Sequence, residues 1–158
     1  AAVGPFWDPV AVSICFNAGS GARLALRIGG KIGPLSGDPL DLDCTVKALM
    51  PDLKMTGMAE GTTIHCGDSA LIDAGGIEIV LVTNRTQAMG TDMFTQLGCD
   101  LASRKVIVVK SSQHFYAHYA KVTPNILFAN APGVVTFDLN SLPFQRITHP
   151  RWPIKPPV

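Results

Sequence analysis

The chain has 158 residues, 47% hydrophobic and 16% charged, which suits one domain with a core of its own and excludes disorder. Thirteen Lys and Arg against twelve Asp and Glu give a formal charge of +1, without the basic footprint of a nucleic-acid binder, and 7% aromatics leave little for a base-stacking platform. Fifteen glycines and twelve prolines imply many turns between short elements rather than a helical bundle.

Residues 1–7 are an apolar run that predicts a buried strand. Asp8-Pro9 follows as a helix start, with Asp8 as N-cap and Pro9 in the first helical position. Val10, Ile14, Phe16 and Ala18 are the apolar positions of that helix, which stops at Gly19-Ser20-Gly21. The period then changes: Leu24, Leu26 and Ile28 alternate with Arg23, Ala25 and Arg27, the pattern of a half-buried strand. Beyond a loop punctuated by Gly29-Gly30-Lys31-Ile32-Gly33-Pro34 and Gly37-Asp38-Pro39, residues Leu40, Leu42, Cys44, Val46 and Ala48 alternate again. The two runs predict an antiparallel pair.

Residues 50–63 are weakly patterned and read as a loop or hairpin. Residues 69–74 and 77–82 flank Gly75-Gly76, a two-residue connection for a tight hairpin whose second arm is apolar enough to be central. A short helix is expected near Met93, Phe94 and Leu97. Lys105-Val106-Ile107-Val108-Val109-Lys110 reads as the clearest buried strand; Ser111-Ser112, a helix over residues 113–120 and a strand over residues 125–129 follow, which makes a strand-helix-strand unit. The Pro-rich residues 143–158 are expected as an extended tail over the body. The fold class is therefore α/β, a mixed β-sheet with flanking helices containing an antiparallel hairpin portion and a βαβ unit, in a single domain over residues 1–158.

Cys15, Cys44, Cys66 and Cys99 are widely spaced with no C-x-x-C pair, and read as reduced thiols of a cytoplasmic protein. No stretch approaches the roughly 18 apolar residues of a membrane span, so no membrane partner is expected. The chain starts at Ala1 rather than Met, as a piece of a longer polypeptide would.

In open α/β sheets ligands gather outside the carboxyl ends of the strands. Lys110-Ser111-Ser112-Gln113-His114 places a cation, two hydroxyls and an imidazole within one turn of a helix start, and Thr83-Asn84-Arg85-Thr86-Gln87 carries a guanidinium fork suited to a carboxylate. If their strands are neighbours, Arg85, Lys110 and His114 make an anion-binding or substrate-holding corner. The competing reading leaves Arg85 and Lys110 as solvated strand ends and bonds His114 to a backbone carbonyl. His114 and His118 have the spacing of paired zinc ligands, but no third ligand lies nearby and no Glu stands beside His114 as a general base. No metal ligand is assigned. His65-Cys66-Gly67-Asp68 reads as a surface turn and His149 as exposed in the tail. Gly29-Gly30-Lys31-Ile32-Gly33 is a poor imitation of a phosphate loop because no helix follows it. There is neither a G-x-S-x-G elbow nor a Walker loop.

The stretch Val108-Val109-Lys110-Ser111-Ser112-Gln113-His114-Phe115, preceded by Leu97-Gly98-Cys99-Asp100 and Lys105, resembles the C-terminal domain of the MlrC family, the microcystinase C or microcystin-degradation group of bacterial zinc metallopeptidases. Gly4-Pro5-Phe6-Trp7-Asp8-Pro9, Gly29-Gly30-Lys31, Gly37-Asp38-Pro39-Leu40, Thr86-Gln87, Ala131-Pro132-Gly133 and Pro150-Arg151-Trp152-Pro153 agree with it in order, so the resemblance covers nearly all the chain. It implies a fragment of a longer two-domain protein, a metal-dependent peptidase or amidase acting on small or linearised peptides. The larger N-terminal domain of the family carries most of the zinc ligands, and a glycine-rich Asp-Asn-Pro-Gly-Gly-Gly stretch usually opens the C-terminal one, upstream of Ala1 here. His114 falls on the family's histidine, and His118 stands where another residue is usual. The resemblance thus implies His114 as a catalytic group that stabilises charge or shuttles a proton, with Arg85, Lys110 and Ser111 binding substrate. The implied partners are the N-terminal metallopeptidase domain of the same polypeptide and a peptide or small-molecule substrate, with self-association left open and the fragment alone inactive. The alternative is a non-catalytic interaction or assembly domain that docks through exposed apolar surface.

Overall fold

The computed structural model describes residues 1–59, 61–131 and 138–146, with the single positions 135 and 152. Six strands, β1 (Ala2–Trp7), β2 (Arg23–Ile28), β3 (Leu40–Thr56), β4 (Thr63–Ala74), β5 (Ile77–Val82) and β6 (Ile107–Val109), form one sheet in the order β2-β3-β4-β5-β1-β6. Helices α1 (Pro9–Ala18), α2 (Asp92–Thr95) and α3 (Tyr116–Tyr119) flank it. The strands β2 to β5 pair antiparallel in sequence order, whereas β1 is inserted parallel to both β5 and β6. The sheet is therefore mixed, as the sequence leads one to expect.

Local chemistry accounts for the elements that were legible. Asp8 Oδ1 accepts the Ala11 amide at 3.0 Å, Pro9 stands at the start of α1, and Gly19, at φ 86°, ends it. Gly75 and Gly76, both at positive φ, turn β4 into β5 with Ala74 opposite Ile77, the tight hairpin expected there.

Residues 50–63, expected as a loop or a hairpin, are the hairpin between two long strands, while other expectations are corrected by the structure. Leu53 and Met55 keep pointing inward past Pro51, which stands at an irregularity of the β3–β4 register. His65 to Asp68 lie inside β4 rather than in a surface turn. The β-branched run from Lys105 to Lys110 makes a strand of only three residues, at the sheet edge, with Val106 54% and Val108 46% exposed. β-branching selects extended backbone there, and burial was decided by what packs above it. The helix expected over residues 113–120 is the single turn α3, and residues 125–129 form no strand. The βαβ unit is instead β5, α2 and β6, with β1 between its two parallel strands. Of the expected tail, residues 147–151 and 153–158, His149 among them, lie outside the described residues.

Two cores lie on opposite faces of the sheet. One packs α2, the turn Leu101–Ser103 and α3 against Leu53, Met55, Leu71, Val80 and Val82, with Phe94 at its centre. The other packs Ala11, Val12 and Cys15 of α1 against Val46, Ile72 and Leu81. The β2–β3 ribbon curls back along α1. Its base is held by the Gly21 amide on the Val46 carbonyl, beyond the last turn of the helix, and its tip, Gly29, bonds Asp8 at the first. All four cysteines are buried free thiols, and burial pushes Cys15, Cys66 and Cys99 up to about 11, so they are protonated and inert at neutral pH.

Candidate functional site

Because β5, β1 and β6 run parallel, their carboxyl ends emerge side by side. The Asp8 amide bonds the Val82 carbonyl at 3.0 Å and the Lys110 amide bonds the Gly4 carbonyl at 2.9 Å, which pins the two following loops to the end of β1. Arg85 lies over the Trp7 ring, 5.4 Å from its centroid, and Trp7 Nε1 donates to the Thr83 carbonyl at 2.9 Å and fixes the ring. Lys110 Nζ stands 5.3 Å from the centroid of Phe6. Phe6 packs on the α1 core and Trp7 on the other, so the two cations straddle the end of β1. Desolvation in this crowded corner, and then repulsion from Arg85, lowers the Lys110 pKa below the ordinary lysine value. Ser111 Oγ donates to Gln87 Oε1 at 3.2 Å and the Ala88 amide to the Lys110 carbonyl at 3.2 Å, which ties the two loops together.

His114 follows on the same segment, half-buried, ahead of α3. Its Nδ1 is buried without a hydrogen-bond partner. It is His118 whose Nε2 donates to a backbone carbonyl, that of Gly57, at 3.2 Å. Arg85, Lys110 and Ser111 are thus gathered at one end of the sheet, while His114 makes no hydrogen bond or ion pair with them.

The mutual repulsion has a measurable consequence. A lysine whose charged form is disfavoured in the fold binds fewer protons there than when unfolded, so its contribution to stability rises as pH climbs through the interval between the two pKa values. Arg85→Gln is expected to move the Lys110 pKa back toward that of a free lysine, as read by NMR titration of the Lys110 side chain. An unmoved titration would show that the two cations do not share a field.

Two features of the site are not legible in the sequence. The aromatic supports Phe6 and Trp7 were visible only as strand residues, although an aromatic pair beside a strand's carboxyl end is the available signal. The second is the role of Asp8, whose side chain is 1% exposed. Besides capping α1, its Oδ2 accepts the Gly29 amide at 3.0 Å and Lys31 Nζ at 2.5 Å. Gly29-Gly30-Lys31 is no phosphate loop because its amide and its ammonium are spent on this carboxylate. Gly29 and Gly30 have φ of 67° and 65°, and a Cβ on Gly30 would stand 2.3 Å from the Pro39 nitrogen.

Metal-binding side chains are present but committed elsewhere. His65 Nδ1 lies 3.3 Å from Asp52, which also pairs with Lys54 at 3.1 Å, and Asp92 accepts the Thr56 amide and hydroxyl. Among the described residues no group of three or more His, Cys, Asp or Glu is placed to hold a metal ion. By themselves these residues do not fit a resident metal.

The family model described as the MlrC C-terminus matches residues 1–146. The chain belongs to the MlrC C-terminus family. This MlrC domain is 32% identical over 155 residues to microcystinase C of Sphingomonas sp., an alignment that covers 98% of the chain and 29% of that relative. A crystal structure of a candidate metallopeptidase from Mesorhizobium sp. BNC1 shares its fold with a TM-score of 0.82 at 24% identity, over 96% of this chain and 31% of that one. The MlrC domain thus spans under a third of the length of each relative.

Proposed function

We propose that this MlrC domain helps to form the substrate cleft of a metal-dependent hydrolase, a peptidase or amidase acting on small or linearised peptides, with zinc held in the N-terminal domain of the same polypeptide. The observation that carries the reading is the placement of Arg85 and Lys110 on either side of the end of β1, at the shared carboxyl end of β5, β1 and β6, in a chain that covers 29% of microcystinase C. Two cations mounted on aromatic rings suit a peptide carboxylate: Arg85 offers a bidentate fork and Lys110 a mobile point charge. Ser111 adds a hydroxyl beside them, and anchoring on strand ends keeps the group preorganised. Held by its carboxylate, a peptide would have its scissile bond oriented against the rest of the active centre. His114, with Nδ1 free of any partner, is the group assigned to charge stabilisation or proton transfer. No described helix is long and apolar enough to cross a membrane, and four buried thiols suit the reducing cytoplasm where we place the protein.

The test uses the full-length polypeptide. Arg85→Ala and Lys110→Ala are each expected to raise KM about ten- to a hundredfold for peptides ending in a free carboxylate, the loss of a charge-assisted bond of about 1.5–3 kcal/mol. Amidated peptides should be little affected. His114→Ala should lower kcat about a hundredfold or more with the fold intact. The second reading, an interaction or assembly domain with no part in the chemistry, draws on the exposed Leu127 and Phe128 and expects turnover unchanged in all three variants.

A further inference from the structure

Among the described residues the sheet face that carries α1 is only partly covered: α1 packs over β4 and β5 and reaches β2 and β3, while Val106 and Val108 beside β6 are exposed. Register decides which side chains share that face. Val3 of β1 is paired with Ile79 on one flank and Val108 on the other, and Ile79 belongs to the α1 core. Side chains paired across parallel strands point the same way, so Val3 and Val108 face the α1 side, and the two-residue period adds Val106 and Ile77 to them. Val106 is 54%, Val108 46% and Ile77 44% exposed. α1 exposes apolar side chains of its own in the same layer, Val10 and Ile14. Lys110, two residues beyond Val108, closes this strip at the candidate site.

Parallel strands are ordinarily buried on both faces, by helices that cross over from one strand to the next. β5, β1 and β6 are such a trio, and among the described residues Val106, Val108 and Ile77 on the α1 side are exposed. The lengths of the relatives bear on what could cover them. The chain spans 29% of microcystinase C and 31% of the Mesorhizobium protein, and the family it matches is the C-terminus, so most of their polypeptide precedes this region. In such a polypeptide the preceding chain arrives at Ala1, at the foot of β1, the middle strand of the trio. We infer that the α1 side of β1 and β6, built on Val3, Val106 and Val108, is the docking surface for an amphipathic helix of the polypeptide upstream of Ala1. This rests on the reading of the chain as part of a longer hydrolase, and it carries the interdomain contact up to Lys110.

Cysteine labelling of the full-length polypeptide tests it, with Val106→Cys and Val108→Cys made singly and Asp38→Cys as a control on the exposed loop. The four native thiols of this domain are buried, and both valines sit at exposed positions where cysteine leaves the core untouched. Maleimide modification, followed peptide by peptide in a mass spectrometer, is expected to be at least tenfold slower in the native than in the denatured protein at 106 and 108, and nearly unslowed at 38. Labelling at 106 and 108 as fast as at 38 would overturn the inference. So would protection that fades on dilution, which assigns the strip to a second copy, or protection lost on deleting residues 147–158, which assigns it to the chain's own end. Catalysis is not needed for the readout. A protected strip in a protein inert toward peptides would remove the hydrolase reading and leave the interface standing.

Discussion

Phe94→Ala is expected to remove about 3–5 kcal/mol of stability, the largest loss foreseen for any single side chain of the domain. Phe94 is wholly buried, and its ring meets Tyr119 edge-on with centroids 6.4 Å apart. The wall is tight where the ring meets β1. The ring tip lies 3.5 Å from where a Cβ on Gly4 would be, and that Cβ would itself come within 2.9 Å of Val80 Cβ, so a side chain at Gly4 could not fill the space without a shift. Denaturant unfolding should show a lower midpoint at unchanged slope. Phe94→Leu, which leaves most of the volume in place, should cost roughly half as much. A loss under about 1 kcal/mol for the alanine variant would mean that the core collapses freely around this site. The effect should reach the candidate site, because Phe94 packs Tyr119 of α3, and α3 ends the segment that carries Lys110 and His114.

Asp8→Ala is the second, with an expected loss of about 2–4 kcal/mol, since one carboxylate serves three donors. The Ala11 amide loses its cap, the Gly29 amide loses its acceptor, and Lys31 loses a partner against which it is only 32% exposed. Asp8→Asn keeps one oxygen as acceptor for the cap and gives up both the charge facing Lys31 and the acceptor of the Gly29 amide, and should cost less than the alanine variant by about the worth of the cap. Equal losses in the two variants would show that the Oδ2 bonds to the Gly29 amide and Lys31 carry the whole effect and the cap none. Hydrogen exchange separates the parts: the Gly29 amide should exchange faster in both variants, and the Ala11 amide chiefly in the alanine one.

These two side chains show how differently parts of the protein could be read. Asp8 was legible as an N-cap because capping is local: an acidic residue before Pro9 and a helix-period run suffices. Its hold on Gly29 and Lys31 was not, since those residues meet it only after the β2–β3 ribbon curls back along α1. Gly75-Gly76 was readable for the same reason as the cap, and the β5 arm beside it was rightly central. The run from Lys105 to Lys110 was readable as extended and misleading as to burial, because apolar β-branched residues look alike whether or not something covers them. The strand-helix-strand unit expected over residues 105–129 lies instead at β5, α2 and β6. Periodicity does not distinguish residues 125–129, where Ile126 packs as irregular chain against the core, from a short strand.

The candidate site divides in the same way. Sequence patterning determined a mixed α/β sheet with polar residues following two apolar strands, and the order of its motifs determined the family, because both depend on neighbours along the chain. Only the tertiary structure decided that β1 enters between β5 and β6, which sets Arg85 on Trp7 and Lys110 by Phe6 at one end of the sheet. The same insertion put β6 at the sheet edge, where Val106 and Val108 are exposed. Strand order is fixed by packing between segments distant in sequence, and no local preference encodes it.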